Sequence, residues 1–324
     1  MTSPDPLFPA PRAVRTPTVA DVELAWRTIG SHLVPSPVDH GGGQASAGDP
    51  VLKLESLQPT GSFKVRGALN ALAQLDPDVR VVTASAGNHG LGLAYAAQLL
   101  GRQATVVVST KASPAKFSRL RTFGVELVQI GDSFDDAEEH ALALAGRGAH
   151  YVSAYNDPDV IAGQGTIGYE LTQQLGEDLT VVCSVGGGGL AAGLGLWSSS
   201  HPAVRLIGVE SERSTAVSQT VRSGADVVVE VGDTLADGMA GNIERGCVTP
   251  AVIARHVADL VTVSEDEIRT GLRYLATERG YVAEGAGAVA VAALLAGKVA
   301  LRGQAVAIVS GRNITTSTLA SVLS

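Results

Sequence analysis

Cysteine, aromatic residues and charge are all scarce in this 324-residue chain. The two cysteines, Cys183 and Cys247, are too few for a disulfide framework and have no metal-ligand spacing. Charged residues make up 17% of the chain, the net charge is −8, and lysine and arginine form no block, so nucleic acid and anionic membranes are not expected partners. The longest apolar run, residues 285–297, is shorter than the roughly 20 residues of a membrane span and predicts a buried helix.

The beginning of the sequence is not expected to be a signal peptide. Residues 1–15 are proline-rich and lack the apolar segment of a signal peptide, so we expect a cytoplasmic protein. The 45% of hydrophobic residues can bury a large core, and the length suits two domains or one large one. Residues 40–48, the only low-complexity stretch, predict a flexible loop.

Glycine, by contrast, is abundant: the 38 glycines are not periodic and cluster after strand-like runs. Between residues 79 and 152, strands predicted over 79–85, 104–108, 125–130 and 149–152 alternate with helices. The second half alternates as well, with strands predicted over 179–185, 204–210, 260–263 and 304–309. Units of this kind form parallel sheets with right-handed crossovers, so the predicted fold class is α/β, with parallel twisted sheets and flanking helices.

A tetraglycine loop follows the strand predicted over 179–185 and precedes a helix. Backbone without side chains can approach a phosphate closely, and a helix N-terminus supplies free N–H groups. A flexible turn is the alternative. Nucleotide binding is the weaker hypothesis, because the loop lacks the Lys-Ser/Thr ending of a P-loop and Ala191 interrupts the G-x-G-x-x-G spacing. The anion-binding candidates are Gly186, Gly187, Gly188, Gly189 and the following Leu190.

One lysine has an unusual setting. Lys64 lies in Gln58-Pro-Thr-Gly-Ser-Phe-Lys-Val-Arg-Gly-Ala68, directly before a helical run predicted over 65–75. A lysine that forms a Schiff base must be held still and partly dehydrated, and this glycine-flanked segment suits that role. The alternative is a solvated lysine at the start of a helix.

An asparagine loop provides the third candidate. Asn88 lies in Thr83-Ala-Ser-Ala-Gly-Asn-His-Gly90, where a predicted parallel strand ends and a helix begins, which is the edge at which α/β proteins bind ligands. Its amide can donate to a ligand, cap the helix, or do both. His89 is predicted to be structural rather than a base. The backbone amides of this loop can hold a carboxylate, so the substrate-binding candidates are Ser85, Ala86, Gly87, Asn88 and His89.

These three segments, in this order, resemble the fold-type II pyridoxal-phosphate enzymes of the serine/threonine dehydratase and serine racemase family, closest to the short catabolic threonine dehydratases. The resemblance extends from about residue 50 to residue 314. It implies a fold like that of the tryptophan synthase β subunit, in which a small domain (79–152) is inserted into a large cofactor-binding domain (1–78 and 153–324). It also implies a homodimer. Three more segments support it: Ile161-Ala-Gly-Gln-Gly-Thr-Ile167, Thr234-Leu-Ala-Asp-Gly-Met239 and Glu284-Gly-Ala-Gly-Ala288.

The resemblance implies a role for each candidate. Lys64 would hold pyridoxal 5′-phosphate covalently, Asn88 would donate to its phenolate oxygen, and the tetraglycine loop with Leu190 would hold its phosphate. Phe63 would be an apolar wall beside the cofactor or simply a core aromatic. Ser310 would meet the ring nitrogen, and because a hydroxyl cannot keep that nitrogen protonated as a carboxylate does, the site suits loss of a β-leaving group.

The implied activity is the dehydration and deamination of a β-hydroxy amino acid, such as L-threonine or L-serine, to a 2-oxo acid and ammonia. Family racemases have a second serine where this chain has Ala86, and a methyl group cannot shuttle a proton. The alternatives are a 3-hydroxyaspartate dehydratase, a serine racemase-like enzyme, a β-replacement enzyme, and a non-catalytic homologue that binds the cofactor or an amino acid. Arg312 stands where relatives have a small residue, and it either meets a second substrate carboxylate or points to solvent.

A cation site is a further hypothesis. Relatives bind a divalent ion through a glutamate that matches Glu210, a carbonyl near Ser214 and an aspartate that matches Ala216. The missing acid argues against magnesium, while a monovalent or divalent cation stays open. Glu210 is equally well interpreted as an acidic residue at a strand end.

Overall fold

A computed structural model of the chain describes residues 12–41 and 49–324. Most of the proline-rich N-terminus and of the loop predicted over 40–48 lies outside these ranges. The helices within them are α1 (Val19–Gly30), α2 (Lys64–Gln74), α3 (Asn88–Leu100), α4 (Pro114–Arg121), α5 (Phe134–Ala145), α6 (Pro158–Leu175), α7 (Gly189–Ser198), α8 (Ala216–Ser223), α9 (Thr249–His256), α10 (Glu265–Thr277), α11 (Gly285–Leu295) and α12 (Thr316–Leu323). The strands are β1 (Val38–Asp39), β2 (Val51–Lys53), β3 (Val81–Ala84), β4 (Ala104–Val108), β5 (Glu126–Gln129), β6 (His150–Tyr151), β7 (Leu179–Ser184), β8 (Arg205–Ser211), β9 (Asp259–Val263) and β10 (Gln304–Ile308).

These strands form two sheets. The larger has the order β1-β2-β10-β7-β8-β9, in which β1 alone is antiparallel to its neighbour. The smaller has the order β5-β4-β3-β6 and is parallel throughout. Strands and helices alternate along both, so the predicted α/β class is confirmed. All strands of the smaller sheet come from residues 81–151, and the division into domains at 79 and 152 stays a prediction.

Several helices begin where the sequence places a capping residue. The side chain of Ser264 accepts from the N–H of Glu267, and the Glu267 carboxylate accepts from the N–H of Ser264, which together form a capping box at the start of α10. Ser113 caps α4, with Pro114 in its first turn. The apolar run at 285–297 forms α11, which is buried along most of its length. Within the described ranges, no helix combines the length and the apolar character needed to cross a bilayer.

Helix α2, which begins at Lys64, is held by close backbone packing. A Cβ atom on Gly67 would lie 2.3 Å from Nε2 of Gln164 in α6. A Cβ atom on Gly92 in α3 would lie 3.0 Å from the carbonyl carbon of Lys64. Because such contacts leave no space for a side chain, glycine at these positions lets α3 and α6 approach α2 and fixes where Lys64 begins its helix.

A buried ionic cluster (Lys53, Glu55, Arg66 and Glu170) lies behind this helix. The guanidinium of Arg66 donates two hydrogen bonds to Glu55, at 2.7 and 2.8 Å, and one to Glu170 at 2.6 Å. Lys53 donates to the other oxygen of Glu170 at 2.6 Å. Burial disfavours the charge on Arg66, but the two carboxylates raise its pKa above the ordinary value. The cluster thus ties α2 to β2 and α6 with two cations and two anions.

Candidate active site

The amine of Lys64 is held at one point and is largely removed from water. Its Nζ donates to the carbonyl oxygen of Ala154 at 2.7 Å and lies 5.2 Å from the centre of the Phe63 ring. Phe63 is buried and belongs to the core that also contains Leu190, so both functions considered for its ring remain compatible with its position. Burial lowers the pKa of Lys64 to about 8, against the opposing charge of Glu284. An appreciable fraction of this amine is therefore neutral near neutral pH.

The side chain of Asn88 is oriented from both ends. Its Nδ2 donates to Oε1 of Glu284 at 2.6 Å, and its Oδ1 accepts from Nδ2 of Asn313. A primary amide has two N–H donors, so one N–H of Asn88 is left for a ligand. The sequence pattern predicted Asn88 as a donor but gave no sign of these two partners.

Glu284 is the acidic residue that sequence reasoning did not single out, although it begins one of the supporting segments. It is buried at the start of α11, beside the backbone of Gly311. A Cβ atom on Gly311 would lie 2.1 Å from Oε1 of Glu284, so glycine there makes room for the carboxylate. Burial raises the pKa of Glu284 to about 7, against the hydrogen bond from Asn88.

Replacing Glu284 with glutamine is expected to change how stability depends on pH. The pKa of Glu284 rises from 4.5 to about 7 on folding, so its contribution is complete below about pH 4.5 and is lost as the pH rises towards 7. Glutamine keeps an acceptor for Asn88 and does not titrate. Between pH 5 and pH 8 the cofactor-free wild type should therefore lose up to about 3 kcal/mol relative to Glu284→Gln in urea unfolding. A difference between the two proteins that is constant with pH would contradict this.

The loop from Ser85 to His89 presents free backbone donors. The N–H of Leu91 makes the first helical bond of α3, to the carbonyl of Gly87 at 3.1 Å, which leaves the N–H groups of Ala86, Asn88 and His89 for an anion. The N–H of Ser85 already donates to the carbonyl of Val107 at 3.1 Å. Gly87 itself donates to Oγ of Ser85 at 3.2 Å. Ala86 packs against the core of the smaller sheet and offers only a methyl group.

His89 is buried, so its ring is not exposed to act as a base. Its Nε2 lies 3.1 Å from the carbonyl oxygen of Val152, which assigns the ring proton to this nitrogen. Burial, together with the charge of Lys64, lowers the pKa of His89 to about 3, so the ring is neutral. The structural interpretation of His89 is the better supported one.

The tetraglycine loop lies against Tyr155, the residue after the carbonyl that binds Lys64. A Cβ atom on Gly187 would lie 2.3 Å from the Tyr155 ring, and one on Gly189 would lie 3.0 Å from its Cα. Gly188 has φ +86°, a conformation that other residues rarely adopt. The first helical bond of α7 is donated by Ala192, so the N–H groups of residues 189–191 are available to an anion. The loop therefore has the chemistry of a phosphate site.

Adding one methyl group at Gly187 is expected to weaken cofactor binding. In Gly187→Ala the methyl overlaps the Tyr155 ring, and the loop must shift at a cost of about 1–3 kcal/mol. The dissociation constant for pyridoxal 5′-phosphate, measured by titrating the cofactor-free protein, should rise by about tenfold or more. Gly30→Ala is the matched control, since its methyl meets nothing within 4 Å. Equal affinities for the two variants would remove the loop from the binding site.

Ser310 lies two residues after the end of β10, next to the segment that contains Lys64. Its backbone carbonyl accepts from the N–H of Phe63 at 3.0 Å, and its hydroxyl donates to the carbonyl of Ala286 at 3.1 Å. The hydroxyl of Ser184, which ends β7, donates to Oγ of Ser310 at 3.4 Å. Contacts through shared neighbouring residues thus bring four candidate features together at the carboxyl ends of the strands, where α/β proteins bind ligands. These features are Lys64, Asn88, the tetraglycine loop and Ser310.

Glu210 is occupied elsewhere. Its carboxylate accepts from the N–H of Val217 at 3.0 Å and from that of Ser218 at 3.2 Å, which caps α8. Burial raises the pKa of this carboxyl. Among the described residues, no group of three or more histidine, cysteine, aspartate or glutamate side chains is arranged to hold a metal ion. A cation ligand at Glu210 stays a prediction.

Comparison with known proteins gives one family. Residues 37–311 match the family model described as pyridoxal-phosphate dependent enzyme. The chain is 41% identical over 305 residues to an L-threonine ammonia-lyase of Thermotoga maritima, which covers 92% of this chain and 76% of that protein. It is 39% identical over 284 residues to the catabolic L-threonine dehydratase of Escherichia coli, covering 85% and 86% of the two chains.

A solved structure agrees with these relatives. The processed form of threonine deaminase isoform 2 from Solanum lycopersicum superposes with a TM-score of 0.87 at 31% identity, and the match covers 97% of each chain. The fold expected from the resemblance is therefore confirmed.

Proposed function

Because the chain belongs to the pyridoxal-phosphate dependent enzymes, we propose that it removes water and then ammonia from a β-hydroxy amino acid such as L-threonine or L-serine, leaving a 2-oxo acid. Its cofactor is pyridoxal 5′-phosphate. The observation that carries the proposal is the buried amine of Lys64, which the Ala154 carbonyl holds in the same site as an oriented asparagine, a glycine loop with free N–H groups and a neutral hydroxyl. The relatives whose names refer to threonine support a β-hydroxy amino acid as the substrate.

The residues of the site fit this cofactor. The tetraglycine loop and the first turn of α7 would hold the phosphate, because a Cβ atom there would strike Tyr155 or Thr249 and because their N–H groups are free. The spare N–H of Asn88 would meet the phenolate oxygen, and Ser310 would lie at the ring nitrogen. Lys64 would hold the cofactor covalently. The donor set contains no carboxylate at Ser310, so the ring nitrogen would not be kept protonated.

The chemistry follows from what each group can do. When bound, the cofactor supplies an electron-withdrawing ring that acidifies the Cα proton of the substrate. The free N–H groups of the loop from Ser85 to His89, those of Ala86, Asn88 and His89, hold the substrate carboxylate. The amine of Lys64 removes the Cα proton, for which a pKa of about 8 is suitable near neutral pH. The β-hydroxyl then leaves as water, and the enamine that remains takes up one water and yields the 2-oxo acid and ammonia, so no oxidant is needed.

A panel of amino acids tests this function. L-threonine, L-serine and both diastereomers of 3-hydroxyaspartate should be compared for 2-oxo acid and ammonia formed in equal amounts. Chiral chromatography of the unreacted amino acid detects racemisation, which we expect to be minor because Ala86 carries no proton to deliver. Added sulfide trapping the intermediate as cysteine would favour β-replacement. Formation of D-serine without 2-oxo acid would favour a racemase, and no product from any substrate would favour a non-catalytic homologue.

We also infer a homodimer, which the resemblance implies, and a cytoplasmic location. Light scattering on protein eluted from a size-exclusion column measures the oligomeric state, and cell fractionation measures the location. A monomer at all concentrations would contradict the first, and recovery with secreted proteins would contradict the second.

A further inference from the structure

Helix α4 belongs to the smaller sheet's part of the chain, yet one of its arginines bonds to residues of the candidate active site. Nη1 of Arg119 donates to Oδ1 of Asn313, and Nη2 donates to the carbonyl oxygen of Thr60 at 3.1 Å. Thr60 lies four residues before Lys64, and Asn313 lies three residues after Ser310. The guanidinium therefore spans from α4 to both segments that approach the cofactor.

Asn313 also bonds to Asn88, so it connects Arg119 to Asn88. Its Nδ2 donates to the carbonyl of Thr60 at 3.0 Å and to Oδ1 of Asn88. An amide can be turned end for end with little change in shape. If Asn313 were turned, its nitrogen would face the guanidinium of Arg119 and its oxygen would face the oxygen of Asn88. Arg119, together with the carbonyl of Thr60, thus selects one orientation of Asn313.

The orientation of Asn313 in turn selects that of Asn88. With an N–H of Asn313 directed at it, Asn88 must present Oδ1 there and Nδ2 on the other side, towards Glu284. A neutral Glu284 can either donate or accept, so near neutral pH this carboxyl alone does not fix the amide. Arg119 and Asn313 supply the selection that Glu284 leaves open.

We propose that Arg119 is a positioning residue that acts through Asn313 to keep the Nδ2 of Asn88 directed at the cofactor. This rests on the cofactor-binding role proposed above for Asn88. It adds a link between α4 and the cofactor: displacement of α4 removes the guanidinium that favours this orientation of Asn313, and the preference of Asn88 for its own orientation then weakens.

The chain offers a matched control on the same helix. Lys116, one turn before Arg119, pairs with Asp237 at 3.3 Å, and both side chains are substantially exposed. Lys116→Ala removes a contact between α4 and the other part of the molecule without touching the two amides. It separates loss of docking from loss of amide orientation.

The test is titration of the cofactor-free proteins with pyridoxal 5′-phosphate, followed by tryptophan fluorescence and by the absorbance of the bound cofactor. Arg119→Leu and Asn313→Ala should each weaken binding by about fivefold to tenfold and change the absorbance spectrum, while Lys116→Ala should stay within about twofold. Arg119→Lys, which keeps a donor, should recover most of the affinity. Asn313→Asp keeps an acceptor for Arg119 but has no N–H for Asn88, so it should resemble Asn313→Ala.

The double variant distinguishes positioning from a general structural effect. If Arg119 acts through Asn313, adding Arg119→Leu to Asn313→Ala should weaken binding no further. Full additivity, or equal losses in Arg119→Leu and Lys116→Ala, would overturn the proposal. Asn88→Ala is the reference: unchanged affinity there would remove the role of Asn88 and this inference together. Weakened binding in Asn88→Ala with none in Arg119→Leu would overturn this inference alone.

Discussion

Lys64→Ala is expected to lower the rate of 2-oxo acid release by more than about a thousandfold, because the variant loses both the covalent attachment of the cofactor and the base that removes the Cα proton. The measurement is the initial rate with saturating L-threonine and added pyridoxal 5′-phosphate. Lys111→Ala is the matched control, since Lys111 is 70% exposed and pairs with the exposed Asp132. It should keep wild-type activity.

The fold should survive this change. The Lys64 amine donates a hydrogen bond to the carbonyl of Ala154, and burial already lowers the pKa of Lys64. Removing an amine whose charge is disfavoured by its surroundings costs little stability. Circular dichroism and urea unfolding of Lys64→Ala should therefore resemble the wild type. A Lys64→Ala protein that forms 2-oxo acid at the normal rate would contradict the assignment.

Arg66→Ala is expected to have the largest effect on stability. It leaves the carboxylates of Glu55 and Glu170 buried with only Lys53 to balance them, and loss of one partner from a buried ion pair costs about 3–5 kcal/mol. Urea unfolding of the cofactor-free protein measures the change. Arg66 lies two residues after Lys64 in α2, which places the two side chains on roughly opposite faces of the helix. The variant is therefore predicted to lose stability with a smaller change in cofactor affinity.

An exposed ion pair provides the comparison. Lys298 pairs with Glu267 at 2.6 Å with both side chains partly in water, and such pairs contribute at most about 1 kcal/mol. Lys298→Ala should therefore destabilise far less than Arg66→Ala. Similar losses for the two variants would mean that the buried cluster does not hold α2 in place.

The features predicted well from sequence are those that depend on neighbouring residues. The strand at 104–108 was predicted over the residues that form β4, and the apolar run at 285–297, predicted to be a buried helix, contains α11. The motifs around Lys64 and Asn88 are also local, so their residue types and spacing are visible in the sequence. Their roles as site residues stay predictions.

Helix α6 was not predicted as a helix, because glycines within it are poor helix formers. Tertiary packing explains why glycine occupies these positions. A Cβ atom on Gly165 would lie 2.6 Å from the carbonyl of Gly193 in α7, and one on Gly168 would lie 2.0 Å from the Trp197 ring. Helix propensity depends on local sequence, so it does not reflect packing against a residue about 30 positions away in the chain.

Partners of charged residues were missed for the same reason. Lys53 in the short strand β2 is fully buried, and its carboxylate partner Glu170 is 117 positions away. The contact between Asn88 and Glu284 spans 196 positions. Charge alone predicts exposure at such residues, and only the fold brings the compensating group to them.

Covalent attachment of the cofactor to one lysine underlies the proposed chemistry. Borohydride reduction of the protein loaded with pyridoxal 5′-phosphate, followed by peptide mass spectrometry, locates that attachment. We predict that the reduced cofactor is found on the peptide containing Lys64. A protein that gains no mass, or gains it at another lysine while Lys64 stays unmodified, would contradict the proposed site.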